Sequence, residues 1–255
     1  MYSKLLDEIP TKPEWDCLPA FSFAFQPIVA PRTGETCSYE ALIRGPQGEP
    51  APTVLNAIND ADAHIFADAV CSKAIHLAKL LGVDCQININ CLPSNFLDDQ
   101  RTMECVLKAC ETSGFPLSNV VLEVTENELI RSHEEFLRAI RTFRKAGVQI
   151  AIDDFGAGHS GLNLLADFQP DTLKVDLHLI RDIHILGPKQ SIIRGIKETC
   201  NDLGIDLLVE GIETVEEYQW CANNGIELYQ GYLFAKPGFE TLPSVSFPTI
   251  QNKAA

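Results

Sequence analysis

Eight short β-type runs punctuate the chain, at 21–29, 37–43, 85–91, 120–124, 148–152, 172–175, 205–209 and 226–229. The first two are joined by Ala-Pro-Arg-Thr-Gly-Glu-Thr, a Pro/Gly turn that predicts an antiparallel hairpin and is too short for a crossover helix. Every later pair is separated by a longer stretch with apolar residues at helical spacing. Examples are Leu55, Ile58, Phe66 and Val70; Phe136, Leu137, Ile140 and Phe143; and Ile192, Ile193 and Ile196 leading to Cys200. Gly82, Gly114, Gly147, Gly204 and Gly225 each fall between such a helix and the next strand, where a left-handed cap commonly sits. Alternation on this scale predicts parallel strands with helices outside, and eight strands can close. The expected fold is α/β, a TIM-like (β/α)8 barrel with an antiparallel first strand. An open doubly wound sheet is the alternative, although no GxGxxG follows the first strand to favour a dinucleotide-binding version.

Residues 1–20 carry Pro10, Pro13 and Pro19 without clear periodicity and are expected to form an arm or linker; 21–245 form the domain and 246–255 a tail. A chain of 255 residues fits one large domain of this kind. With 45% hydrophobic and 22% charged residues it has the mix of a soluble globular enzyme. No run of about 18 apolar residues occurs, so no membrane span is expected, and the N-terminus lacks the apolar stretch of a secretory signal. The protein is expected to be cytoplasmic. Its nine cysteines form no CxxC pair, and their odd number does not suit a disulfide framework; most are expected to be reduced, buried and apolar in behaviour.

The net charge of −15 changes the picture further, because it argues against DNA or RNA as partner. An anionic substrate would then need metal ions as intermediaries. The competing reading, that the acidity only solvates the surface, stands until the acids are located.

Barrel active sites are built from the C-terminal ends of strands, so the test is positional. Glu40 lies on the second predicted strand, Asn90 ends the third, Glu123 lies on the fourth, and Asp153 and Asp154 end the fifth. Lys174 lies on the sixth, Glu210 ends the seventh, and Gln230 follows the eighth. A lone acid at a strand end is most often a cap or a solvated residue, but seven consecutive strands delivering polar groups to one rim are not explained that way. Five carboxylates in one cavity repel one another by several kcal/mol unless cations neutralise them. Oxygen ligands with an Asn amide point to hard ions such as Mg²⁺ or Mn²⁺. Successive strand residues face opposite ways, so Asp153 and Asp154 reach one site only where the strand gives way to its loop. Placed there, they suit two-metal hydrolysis.

In order along the chain stand QPIV at 26–29, EALIR at 40–44, Asn90 with Pro93, ExTE at 123–126, DDFGAG from Asp153, LKVD from Leu173, EGIET from Glu210 and QGYLFAKP at 230–237. This series resembles the EAL domain, the bacterial cyclic di-GMP phosphodiesterase named for its Glu-Ala-Leu motif, over about residues 21–240. The resemblance implies a barrel with an antiparallel first strand, and cleavage of cyclic di-GMP to linear pGpG with two Mg²⁺ or Mn²⁺ ions. It implies that Glu40, Asn90, Glu123, Asp153, Asp154 and Glu210 are metal ligands, with Lys174 beside the attacking water and Gln230 at the metal–water cluster. Gln26 and Arg44 match substrate contacts. Asn88, two residues before Asn90, faces the same side; Pro93 sets the register that favours Asn90. Glu126 matches a residue that holds the loop at 156–162, and the segment 162–168 resembles part of a homodimer interface. Gly45-Pro46, where many members carry Trp, resembles EAL domains found behind BLUF blue-light sensors, which makes an upstream sensor a candidate partner. His159 stands where Tyr is common and is read as a packed loop residue. An EAL-like receptor or protein-binding regulator without catalysis is the rival from another class, distinguished by loss of ligand residues.

Overall fold

A computed structural model of the chain describes residues 9–10, 12–91, 99–125, 133–157 and 165–248. β1 (Ser22–Ala30) and β2 (Glu35–Arg44) form the expected hairpin, in antiparallel register from Ser22 opposite Arg44 to Ala30 opposite Glu35. β3 (Gln86–Asn90), β4 (Val120–Thr125), β5 (Gln149–Phe155), β6 (Thr172–Val175), β7 (Asp206–Val209) and β8 (Leu228–Tyr229) then add in parallel, each beside its predecessor. Val29 pairs with Tyr229, so β8 returns to β1 and the eight strands close into a mixed, TIM-like barrel rather than an open sheet. β1 runs against both of its neighbours. A ninth strand that the pattern did not announce, β9 (Gly238–Phe239), pairs with β1 at Ala24 and Phe25. β2 occupies one edge of β1, so β8 and β9 share the other.

The helices are α1 (Ala51–Leu55), α2 (Ala63–Leu80), α3 (Asp99–Ser113), α4 (His133–Ala146), α5 (Leu177–Ile180), α6 (Gly187–Leu203) and α7 (Val215–Asn223). Helical spacing from Leu55 to Val70 is thus shared by two helices, not one. The break at 56–62 is rich in Asn and Asp, whose side chains compete for local hydrogen bonds; Asn59 Nδ2 donates to Asp62 Oδ2 at 2.8 Å. The five glycines between helices and strands all adopt positive φ, and Gly204 is the left-handed cap of α6.

Period-two alternation gives the barrel wall two different faces. Ile87, Ile89, Leu122, Ile150, Ile152, Leu173, Val175, Leu207 and Val209 join Phe66, Ile75, Val106, Phe143 and Ile193 in one apolar cluster between strands and helices. The opposite face of the same strands carries Asn88, Asn90, Glu123, Asp153 and Lys174 into the interior. Ile9 and Trp15 also belong to the outer cluster, Trp15 on a 3₁₀ turn (Pro13–Trp15). The expected arm therefore packs on the domain over its described part.

The loops after β6 and β7 are tied together by Glu217, which is buried. With Thr214 it forms the capping box of α7, and its carboxylate accepts from the Asp182 amide at 3.0 Å and from the Glu213 and Thr214 amides at 3.2 Å. Arg181 Nη1 lies 3.4 Å away. Burial alone would raise the Glu217 pKa, but these donors outweigh it and hold the carboxyl below its usual range. Glu217→Ala strips three backbone donors of their acceptor, so chemical denaturation is expected to show a loss of about 3 kcal/mol. Because the folded-state pKa is lowered, the carboxylate's contribution is complete above the unfolded value and fades as pH falls through the folded one. The gap between Glu217→Gln and unaltered protein should therefore narrow in acid; a gap that widened there would contradict the assignment.

Candidate active site

The sequence-predicted rim residues converge because the parallel register puts them at neighbouring heights. Glu40 is level with Asn88, Asn90 with Glu123, and Lys174 with Leu208. Antiparallel pairing sets Gln26 beside Glu40. Asp153 and Asp154 reach the site by a different route from the expected one, since β5 continues to Phe155 and the aspartates are not in a loop. The β5–β6 register shifts between Ile152 and Phe155, and Asp154 has φ 57°. This bulge with a left-handed residue lets consecutive side chains serve one cavity.

At the centre lies Lys174, with no exposed surface. Its Nζ is 2.8 Å from Glu123 Oε1, 2.8 Å from Glu210 Oε1, 2.9 Å from Asp153 Oδ1 and 3.5 Å from Glu40 Oε2. Burial by itself would push the ammonium pKa down, but the charges of Asp153, Glu123, Glu210 and Glu40 hold it well above the usual lysine value. The acids respond unequally. Burial pushes Glu123 well above the usual carboxylate range against the pull of Lys174, and pushes Glu210 up to about 8 with help from the charges of Asp153 and Glu40. At Glu40 the same burial is outweighed by Lys174 and by hydrogen bonds from Gln230 and Asn90, so its pKa is lowered.

Amides complete the cage. Gln230 Nε2 donates to Glu40 Oε2 at 2.7 Å and to Gln26 Oε1 at 3.3 Å. Asn90 Nδ2 donates to Glu40 Oε1 at 3.0 Å, and Asn88 Nδ2 to Glu123 Oε1 at 2.8 Å. Gln26 Nε2 reaches the carbonyl of Ala235 at 3.2 Å. Both asparagines thus enter the site, each amide paired with its own glutamate. Their spacing of two was the available signal. Arg44 lies at the rim end of β2, outside the ion-pair cluster; its Nη1 donates to the Ile43 carbonyl at 2.8 Å and no carboxylate pairs with it among the described residues. Glu126, His159, Pro93 and residues 162–164 of the 162–168 segment lie outside the described residues.

The oxygens offered here fit divalent cations. Glu40, Glu123 and Asp153 form one triad, and Asp153, Asp154 and Glu210 another; within each, one ligand oxygen per residue lies within 4.8 Å of the others. Asp153 is the shared corner. Glu123 Oε2, Asn88 Oδ1 and Gln230 Oε1 are buried acceptors without a hydrogen-bond donor among the described residues; for the Glu123 carboxylate oxygen this is a costly state that a cation relieves. With all groups ionised, five carboxylates against one ammonium leave four negative charges, which equals the charge of two divalent ions. An all-oxygen donor set selects hard ions.

A closed mixed barrel carrying paired carboxylate triads at the C-terminal ends of its strands defines a barrel protein with a metal-type acidic site. Residues 18–237 match the EAL domain model, and the chain belongs to the EAL domain family. Among curated relatives, the blue light- and temperature-regulated antirepressor BluF of Escherichia coli is 36% identical over 89% of this chain and 56% of its own length. The cyclic di-GMP phosphodiesterase PdeR of Escherichia coli is 34% identical over 65% of this chain and 24% of its own. The chain therefore spans about a half and a quarter of these two proteins. Among solved structures, a standalone EAL protein from Vibrio cholerae bound to cyclic di-GMP superposes with a TM-score of 0.85 at 44% identity, covering 89% of this chain and 95% of that one. The Klebsiella pneumoniae BlrP1 complex with manganese and cyclic di-GMP superposes with a TM-score of 0.83 at 40% identity, covering 86% and 56%. No helix among the described residues is long and apolar enough to cross a membrane.

The ion-pair geometry makes Lys174 the counter-charge of these carboxylates. Lys174→Met is expected to lose about 3–5 kcal/mol in the presence of a chelator, since the buried carboxylates of Glu40, Glu123 and Asp153 and the half-buried one of Glu210 lose their shared partner. Mg²⁺ or Mn²⁺ should restore most of that loss in the same thermal melt. A variant as stable as the unaltered protein in chelator would remove Lys174 from this role.

Proposed function

We propose that the chain hydrolyses cyclic di-GMP to linear pGpG, using two Mg²⁺ or Mn²⁺ ions. The observation that carries this reading is the convergence of two carboxylate triads on one buried lysine. Glu40, Asn90, Glu123, Asp153, Asp154 and Glu210 are the residues that would hold the ions, and bound cations supply charge neutralisation at the phosphate and an acidified water. The protein's own groups carry the rest. Lys174 Nζ is a fixed, fully buried charge and stabilises the extra negative charge of the pentavalent transition state more than the ground state. Arg44, with its guanidinium uncommitted to any carboxylate among the described residues, suits the second phosphate of the cyclic dinucleotide. Gln230 fixes the orientation of Glu40 and links it to Gln26, which we assign with Arg44 to substrate binding. In the net reaction water adds across one P–O3′ bond, the freed O3′ takes a proton, and the phosphate stays on the 5′ side.

We assign residues 21–245 as the catalytic unit, Glu126 as the residue that holds the 156–162 loop, and a homodimer as the working state, with an upstream sensor as the source of input. Support for cyclic di-GMP comes from PdeR's name and from the bound ligand of the Vibrio cholerae and BlrP1 structures. The cytoplasm, where this messenger would be met, is the proposed location. BluF, named an antirepressor, favours the second reading, a cyclic di-GMP receptor or protein-binding regulator. All six ligand positions that the family pattern requires are filled in this chain, which favours catalysis.

Incubation with cyclic di-GMP followed by ion-exchange chromatography separates the two. Linear pGpG is expected with Mg²⁺ or Mn²⁺, and binding without turnover with Ca²⁺, whose longer and more numerous bonds misplace the reacting groups. Lys174→Ala in saturating Mn²⁺ is expected to retain nucleotide binding by calorimetry while kcat falls about 100-fold or more. Retained but uncleaved ligand in every metal would establish the receptor instead. In the same assay Glu126→Ala should lower turnover while the circular dichroism spectrum is unchanged; full turnover would make Glu126 an ordinary solvated acid.

A further inference from the structure

Asn88 has no place in the ligand set above, yet it lies in the middle of β3, level with Glu40, and is only 4% exposed. Its Nδ2 donates to Glu123 Oε1 at 2.8 Å, and Lys174 Nζ reaches that same oxygen at 2.8 Å. A carboxylate in an ion pair only accepts, so the amide edge that faces it is the nitrogen and the Asn88 carbonyl points elsewhere. Two donors therefore converge on Oε1. The other oxygen, Oε2, is buried and has no hydrogen-bond partner among the described residues. Glu123 belongs to the triad with Glu40 and Asp153. One of its oxygens is committed to the protein, and one is withheld from it.

We propose that Asn88 is a positioning residue that locks the Glu123 carboxylate so that Oε2 is the oxygen presented to a divalent cation in the Glu40–Glu123–Asp153 triad. The proposal rests on the two-metal reading above. Lys174 cannot do this alone: it is shared among four carboxylates, and a single donor lets a carboxylate rotate about its terminal bond. Asn90 stands apart from Asn88 in being half-buried at the end of β3, with its nitrogen toward Glu40 and its carbonyl without a donor among the described residues. A hydrogen-bonding partner behind a metal ligand typically changes affinity by about 10–100-fold when removed.

Mn²⁺ titration followed by electron paramagnetic resonance and calorimetry tests this in Asn88→Leu, Asn88→Ala and Asn88→Asp. Leucine matches the size of asparagine without a donor, and alanine serves should leucine fail to fold, with circular dichroism as the check. Both variants are expected to bind one Mn²⁺ about as the unaltered protein does and the second about 10–100-fold more weakly. A general loss of structure would weaken both sites together. Aspartate keeps an oxygen where the Asn88 carbonyl lies but brings no N–H to Glu123, so Asn88→Asp should also weaken one site. Asn88→Asp binding both ions as tightly as the unaltered protein, or tighter, would make Asn88 a direct ligand and overturn the proposal. Unchanged affinities in Asn88→Leu and Asn88→Ala would overturn it too. Absence of Mn²⁺ binding by the unaltered protein would overturn the two-metal reading with it.

Discussion

A lysine ammonium buried among four carboxylates is the constraint on which the rest of the structure depends. Taking a single charge out of water costs several kcal/mol, and only close, well-aligned partners offset it. Those partners arrive on four different strands, β2, β4, β5 and the end of β7, at 2.8–3.5 Å from a side chain on β6. No local segment can provide that arrangement. It exists only when the strands pair in one register, because a shift of a single residue turns each of these side chains outward into the apolar layer. Fold and site are therefore stabilised by the same pairing, and a charge defect at the mouth is felt as a loss of stability by the barrel.

The rim around this centre is knitted by backbone as much as by side chains. Ile212 and Leu233 donate across the β7 and β8 loops, to Gln230 and Ile212 respectively. Gly231 sits where an added Cβ would lie 2.1 Å from the Ile212 carbonyl oxygen, so only glycine allows the two loops to touch. Arg181 pairs with Glu213 at 2.8 Å and with the buried Glu217, which carries the restraint on to the β6 loop. Three successive loops thus hold Lys174, Glu210 and Gln230 in fixed relation, the condition for electrostatic stabilisation without reorganisation.

Much of this was legible in the order of residues. Strand–helix alternation, the hairpin at 30–36 and the polar residue at each strand end were local signals, and the barrel turned them into neighbours. What escaped was decided by partners distant in sequence. β9 is two residues long and gains its identity only from β1. The bulge at Asp153 and Asp154 arises from the mismatch between β5 and β6, which neither strand states alone. Trp15 falls in the segment expected as an arm or linker because the prolines there hide any period, whereas its burial depends on α2 being in place. The distinct duties of Asn88 and Asn90 could not be told apart by alternation, which gives them the same face; the glutamate each one meets separates them.

The reversed direction of β1 has a geometric consequence of its own. In an all-parallel barrel the first strand starts at the floor, opposite the active site, so the polypeptide enters far from the chemistry. Here Ser22 is level with Arg44 at the rim end of β2, and the strand descends from the mouth to Ala30 before the hairpin turns the chain upward. The entrance of the polypeptide and the entrance of the cavity are on the same face. The chain segment that leads into β1 therefore joins the barrel on the face that carries the acidic cluster, and not at the floor beneath it.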